Sequence, residues 1–405
     1  MRLRGSQESV HLTYCTNIHA GESWPEAQAS LREHLPLIKA RVSPQAPLAV
    51  GLRVAASASE ALRDEAAMRA LEELLGDDYY VFTFNGFPYG AFHGQPVKDG
   101  AYRPDWAQAE RLSYTNDLAR LLARLLPEGQ VGSISTVPCT FKPWLTDAST
   151  RDQTIDACTR NLIAHAAMLW RLREEAGKTI VLALEPEPFC WLETIAETVS
   201  YFHEELYSDT AIARMVELTG LSAADAETAL RLHLGVCYDV CHAAVEYEDA
   251  AASIGALQRA GIPIAKAQLS SALRIVSLDA DSAAAISEFS EPVYLHQTMQ
   301  RRGTDIVRYV DLAPALAARE SAMGSEWRSH FHVPIFLESM EKFGTTQAFL
   351  KEVLALQARA PFTSQLEVET YTWDVLPQQY RGLAVSDAIA RELNWVVDTL
   401  RATEA

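Results

Sequence analysis

Four apolar runs from residue 179 onward end in side chains that bear oxygen. TIVLALEPEP (179–188) closes on Glu185, Pro186 and Glu187, and LHLGVCYDVC (232–241) closes on Asp239, with His242 three residues beyond it. IPIAKAQLSS (262–271) carries Gln268 near its end, and SQLEVETYTW (364–373) carries Glu367 and Glu369. A buried ionised carboxylate is costly unless it is paired or bound to a metal. One such glutamate reads as half of a rim ion pair with Lys or Arg. Four run ends converging read as a divalent cation site, because the ion relieves the repulsion among the carboxylates. Oxygen-rich sites favour hard ions such as Mg²⁺ or Mn²⁺ over a thiolate zinc centre. The candidate ligands are Glu185, Asp239, Gln268 and Glu369, around one ion of Mg²⁺, Mn²⁺ or Zn²⁺.

Side-chain alternation refines the set. Glu367 and Glu369 point the same way along a strand, so Glu369 sits at the rim and Glu367 one layer deeper, within reach of a supporting partner. Pro186 breaks the fifth run, which leaves Glu185 as the last regular residue and Glu187 in the loop. Histidine is the side chain that titrates near neutrality, so its positions count. His19, with Asn17, ends the first run; His93 lies in the glycine-rich NGFPYGAFHG; Lys142 and Trp144 follow the fourth run. NGFPYGAFHG lacks the spacing of a phosphate loop. His330 and His332, two apart in RSHFHVPIF (328–336), share a strand face. They read as substrate contacts, as ligands completing the metal site in place of Gln268, or as one side of an amphipathic strand. His19, His93, Lys142, Glu187, His242, His330 and His332 form the candidate substrate-binding set.

These residues need a frame that brings run ends together. Four earlier runs, HLTYCTNIH (11–19), PLAVGLRVAA (47–56), YYVFTFNGF (79–87) and QVGSISTVP (130–138), precede the four above. Helical spacing separates them, as in TNDLARLLARLL (115–126) and CTRNLIAHAAMLWRLREE (158–175). In the latter, Leu162, Ala166, Leu169 and Leu172 form an apolar stripe, and His165 within it reads as structural. Eight strands alternating with helices predict a (β/α)₈ barrel, whose site lies at the C-terminal strand ends. No linker divides the chain, so 1–405 reads as one domain. Residues 271–345 exceed one helix and read as an insertion over the barrel mouth, between strands seven and eight. Within it, 328–336 is either a ninth strand or a rival for the seventh barrel position.

The chain has 405 residues, enough for a barrel of roughly 250 plus insertions. Its net charge of −18 would repel a phosphate backbone, so a small-molecule metabolite is the expected partner and nucleic acid is not. The six cysteines are scattered, with no CxxC pair, and read as free thiols. Cys237 and Cys241 read as packing residues. With no signal peptide and no membrane-length apolar run, a cytoplasmic protein without membrane insertion is expected.

The series ALEPEP, YDVCH, KAQLSS and EVETYTW resembles the metal site of xylose-isomerase-like barrels, a superfamily of sugar epimerases, inosose dehydratases and endonuclease IV. Its epimerases take Glu, Asp, His and Glu from strands five to eight. The resemblance therefore implies Glu185, Asp239 and Glu369 as ligands and His242 of the D-x-x-H as a substrate contact. Gln268 departs from the pattern, standing where a histidine is usual. Across residues 11–377, HLTYCTNIHAGESW, NGFPYGAFHG, GSISTVP, LALEPEP, QLSSALR, HFHVP and LEVETYTWDVLP resemble the EboE family of metabolite-traffic proteins. The resemblance implies an isomerase or epimerase in which Glu185 and Glu369 exchange a proton beside a carbonyl, with other proteins of the same gene cluster as partners. A carrier that keeps the metal site without turnover is the alternative. An endonuclease IV-like phosphodiesterase is a third reading, which the acidic charge disfavours.

Overall fold

Strands buried on both faces of a parallel sheet need near-continuous apolar sequence, and the runs supply it: Leu48–Arg53 and Leu234–Asp239 are buried at every position. The computed structural model describes residues 1–3, 9–94, 96–377 and 382–404. In chain order the strands are β1 (His11–Tyr14), β2 (Leu48–Arg53), β3 (Tyr79–Asn85), β4 (Val131–Thr136), β5 (Thr179–Leu184), β6 (Leu234–Asp239) and β7 (Ile264–Leu269). They continue with β8 (Leu273–Ile275), β9 (Thr298–Arg302), β10 (Asp305–Tyr309), β11 (Glu326–Ser329), β12 (Ser339–Met340), β13 (Phe343–Thr345) and β14 (Gln365–Val368).

Strands β1 to β7 and β14 pair in parallel in the order β1-β14-β7-β6-β5-β4-β3-β2, and a Cys15–Gly51 bridge joins the two ends. The protein is a (β/α)₈ barrel. Helices between the strands pack their apolar stripes on it. Ala148–Ala176 is capped by Asp147, which accepts the Thr150 N–H at 2.9 Å, and stops at Gly177 with φ 69°. His165 lies buried in that helix with Nδ1 2.7 Å from Asn116 Oδ1, a structural placement.

Under the mouth, Lys266 of β7 and Glu367 of β14 form an ion pair with no exposed side-chain surface. The opposing wall must be bare to admit it. A Cβ at Gly51 of β2 would lie 1.6 Å from Glu367 Oε1. This layer is the floor on which the rim carboxylates stand.

Strands β8 to β13 build a second, antiparallel sheet in the order β10-β9-β11-β8-β13-β12. The segment 328–336 opens in an extra strand outside the barrel and does not take the seventh barrel position. Its strand is β11, which ends at Ser329 and pairs with β8 and β9, while Ile264–Leu269 holds the seventh barrel position. From His330 onward the backbone leaves the ladder, and Val333 N–H donates to Ser271 of the barrel at 2.9 Å. Arg308 of β10 also reaches the barrel, donating to Glu246 at 3.0 Å.

Candidate metal centre and its histidine wall

The barrel ladder continues one residue past β5 and β14, as Glu185 N–H donates to Thr136 O and Glu369 N–H to Leu269 O, both at 3.1 Å. That backbone register sets both glutamates at rim height, where Asp239 ends β6. One carboxylate oxygen each from Glu185, Asp239 and Glu369 lies within 4.8 Å of the others, and all three residues are buried. Their outer bonds orient them. Glu369 Oε1 accepts from Asn17 and Asn85 at 2.7 Å each, and Asp239 Oδ1 accepts from Ser270 Oγ at 2.8 Å and from the His242 N–H at 3.0 Å. Glu185 Oε2, Asp239 Oδ2 and both amide atoms of fully buried Gln268 have no hydrogen-bond partner among the described residues.

Unpaired buried oxygens are costly, and the protonation equilibria register that cost. Burial, then the Asp239 charge, pushes Glu185 up to about 8. Burial, then Glu185 and Asp239, raises Glu369 well above the usual range. Without an ion, Glu185 and Glu369 keep their protons to higher pH than free carboxyls do. A divalent cation would replace them, and these donors fit one: three carboxylates and an amide oxygen suit a hard ion.

Beside the carboxylates stand His242, His330 and His332, all buried. Each Nδ1 faces a carbonyl or amide oxygen: Pro186 O at 2.9 Å, Gln297 Oε1 at 2.8 Å and Glu369 O at 2.8 Å, respectively. Gln297 is oriented by its own amide, which donates to Tyr102 Oη at 2.7 Å and Pro188 O at 3.2 Å. The Tyr102 hydroxyl in turn donates to Glu187 Oε1 at 2.7 Å. Burial opposes charge on His242, but Asp239, Glu187 and Glu185 outweigh it and raise its pKa. Burial lowers His332 to about 4.

A cleft with ≈ 60 Å³ of room for water-molecule centres opens onto Glu185, Glu187, His242, His330, His332 and Glu369. Its other walls are aromatic, from Phe92, Tyr102, Tyr294 and Tyr371, with Lys98 at the edge. Three of the sequence candidates lie elsewhere. The His19 ring stacks on His34 at 4.2 Å and bonds Tyr14 Oη at 3.0 Å, outside the cleft. Lys142 is spent on Glu193 and on Glu197, the latter at 2.8 Å. His93 packs edge-on to Phe92 at 5.3 Å and does not line the cleft. Asn85, Tyr102, Ser270 and Gln297 are new to the site. Of these, Asn85, the last residue of β3, and Ser270, just after β7, carried a positional signal. A larger hollow of ≈ 750 Å³ opens at the opposite strand ends, near His11 and Tyr80, and no metal-ligating group of the described residues lies in it.

No protein-family model matches the sequence, and no curated protein does. Solved structures do. A xylose isomerase-like TIM barrel protein from Mycobacterium smegmatis, solved with magnesium, superposes with TM-score 0.49 at 10% identity over 99% of this chain and 100% of its own. The IOLI protein, solved with a zinc atom, gives 0.45 at 13% identity over 97% and 98%. A 3-keto-D-glucoside 4-epimerase from E. coli in its apo form gives 0.36 at 14% identity, over 77% of this chain and 98% of that one.

Proposed function

We propose that this barrel is a metal-dependent isomerase or epimerase of the xylose-isomerase-like kind, acting on a small polyol or sugar-like metabolite. The observation that carries the reading is the close group of Glu185, Asp239 and Glu369 at the strand ends, with partnerless buried oxygens on Glu185, Asp239 and Gln268. Glu185, Asp239, Gln268 and Glu369 would hold one divalent cation, which would supply Lewis-acid polarisation of a substrate carbonyl. Glu185 takes the proton next to that carbonyl, and Glu369 delivers one to the opposite face. Asn17 and Asn85 fix Glu369 by one oxygen and leave the other for this exchange. Burial suits Glu185, pushed up to about 8, to the task, because a proton shuttle works best with a pKa near neutrality. Residues 271–345 roof the mouth, where His330 and His332 help exclude water. The EboE-like phrases support a place in metabolite traffic, in the cytoplasm, beside other proteins of the same gene cluster.

Deuterium exchange tests the reading. Metal-loaded protein incubated with small ketoses and ketopolyols in D₂O should exchange the proton α to the carbonyl, read by NMR. Glu369→Gln should slow exchange by about 10²-fold or more, with metal content measured on the same sample. Gln268 favours the second reading, a carrier, since an amide oxygen binds a metal more weakly than an imidazole. A protein that binds a metabolite yet exchanges no proton at any pH is that carrier.

A further inference from the structure

Strands β8, β9 and β11 bring three arginines to one carboxylate. Arg301 of β9 stands opposite Glu326 of β11 in the ladder, and Arg274 of β8 stands opposite Arg328 of β11. Side chains two apart on a strand share a face, so all four groups project from one side of the sheet. Glu326 Oε1 accepts from Arg274 Nε at 2.7 Å and from Arg328 Nε at 3.1 Å, and its Oε2 accepts from Arg301 Nη2 at 2.6 Å. Three positive charges against one negative leave an excess of two, in a chain whose net charge is −18.

One carboxylate does not balance this set. Like charges directly opposite across strands are destabilising, and Arg274 and Arg328 are such a pair. Burial lowers the Arg328 pKa, and the Arg274 charge adds to the lowering that Glu326 opposes. The groups are nevertheless held in place. Arg301 and Arg328 each lie over the ring of Tyr247, with the guanidinium carbon 4.1 Å from the ring centroid. The Tyr247 hydroxyl donates to Glu326 O at 3.2 Å, and Arg328 Nη1 donates to Ala244 O at 2.6 Å. Tyr247 itself takes φ 60°, a left-handed conformation that a bulky residue rarely adopts. Backbone strain upheld by surrounding contacts clusters at ligand sites.

Arg274 and Arg301 donate only to Glu326 among the described residues, and their side chains stay 32% and 35% exposed. Most N–H groups of these two guanidinium forks are therefore unspent. None of the three arginines lines the cleft at the barrel mouth. We propose that Arg274, Arg301 and Arg328 form an anion site, separate from that cleft, for a phosphate dianion, free or carried as a monoester. Planar guanidinium forks match phosphate oxygens two at a time, and the excess of two charges matches the dianion. Glu326 gathers the forks and competes with the anion for them. The net charge of −18 disfavours an extended polyanion, but screening confines such fields to about 10 Å at 0.1 M salt, so a small dianion meets the local excess. The site requires no turnover and stands apart from the isomerase reading.

The test uses the full chain, stripped of metal so that phosphate finds no cation in the cleft. Inorganic phosphate is titrated by calorimetry at constant ionic strength, and phosphatidylcholine vesicles carrying phosphatidic acid are tested by sedimentation. The expected result is one phosphate per chain. Arg274→Gln with Arg301→Gln should weaken it by about tenfold or more. Glu326→Gln keeps the side-chain shape, removes the rival charge and should tighten it several-fold, which a purely structural ion pair does not predict. Circular dichroism checks that the variants fold. Sedimentation with the acidic vesicles, lost in the double arginine variant, names a lipid headgroup as the source of the phosphate; phosphate binding without sedimentation names a soluble ligand. A wild-type chain that binds neither overturns the site. So does phosphate affinity that the double arginine variant leaves unchanged or that Glu326→Gln fails to raise.

Discussion

Metal affinity should depend on pH in a way set by Glu185. Burial and Asp239 push that carboxyl up to about 8, so near pH 6 a proton occupies the place an ion would take. Binding must expel it. For one group titrating at about 8, the competition factor falls from about 100 at pH 6 to about 2 at pH 8, so affinity should rise about 50-fold, or about 2.3 kcal/mol. Glu369, raised by burial and the same neighbours, makes the slope steeper. Stability of the metal-free protein should move the other way. The folded pKa lies above the unfolded value of 4.5, so the native state binds the extra proton, and stability falls as pH rises from about 4.5 to about 8. Calorimetric titration with Mn²⁺ at pH 6, 7 and 8, in buffers of differing ionisation enthalpy, measures both affinity and released protons. Glu185→Gln should lower affinity and release about one proton fewer. Affinity that is flat across this range, or binding without proton release, would refute the carboxylate cluster as the ion's seat.

Lys266→Met should cost about 3–5 kcal/mol in urea unfolding, because it strands the buried Glu367 carboxylate. Adding Glu367→Leu should restore most of that loss, and a single variant as stable as wild type would show that the pair is not a paired charge. Asn85→Ala removes one of the two amides that hold Glu369 Oε1, and should weaken metal binding about 10–100-fold by the same titration. An unchanged dissociation constant would mean that Glu369 needs no such support.

The barrel and its carboxylate rim were legible because two periodicities agree along the chain. Parallel strands must be apolar through their length, so a Glu or Asp at the end of an apolar run marks rim height as well as chemistry. Glu185, Asp239 and Glu369 could be found that way, and alternation alone put Glu367 beneath Glu369. Asn85 ends β3 in the same position, yet an uncharged amide running into a glycine-rich loop gives no electrostatic reason to single it out. His19 and Lys142 show the reverse failure. They stand near strand ends by sequence, but stacking on His34 and pairing with Glu193 and Glu197 turn them aside.

The histidine wall marks where sequence reading stops. Spacing shows that His330 and His332 share a side, but not that they face His242, 88 residues earlier. That meeting depends on β11 ending at Ser329, on Val333 bonding Ser271, and on Gln297 and Tyr102 closing the chain of donors to Glu187. None of those contacts is periodic. The second sheet is built of strands of two to five residues, too short to carry a pattern of their own. A barrel fixes its rim by register, within the sheet and along the chain. The segment between β7 and β14 fixes its side chains by tertiary hydrogen bonds, so its histidines become visible only once those bonds are seen.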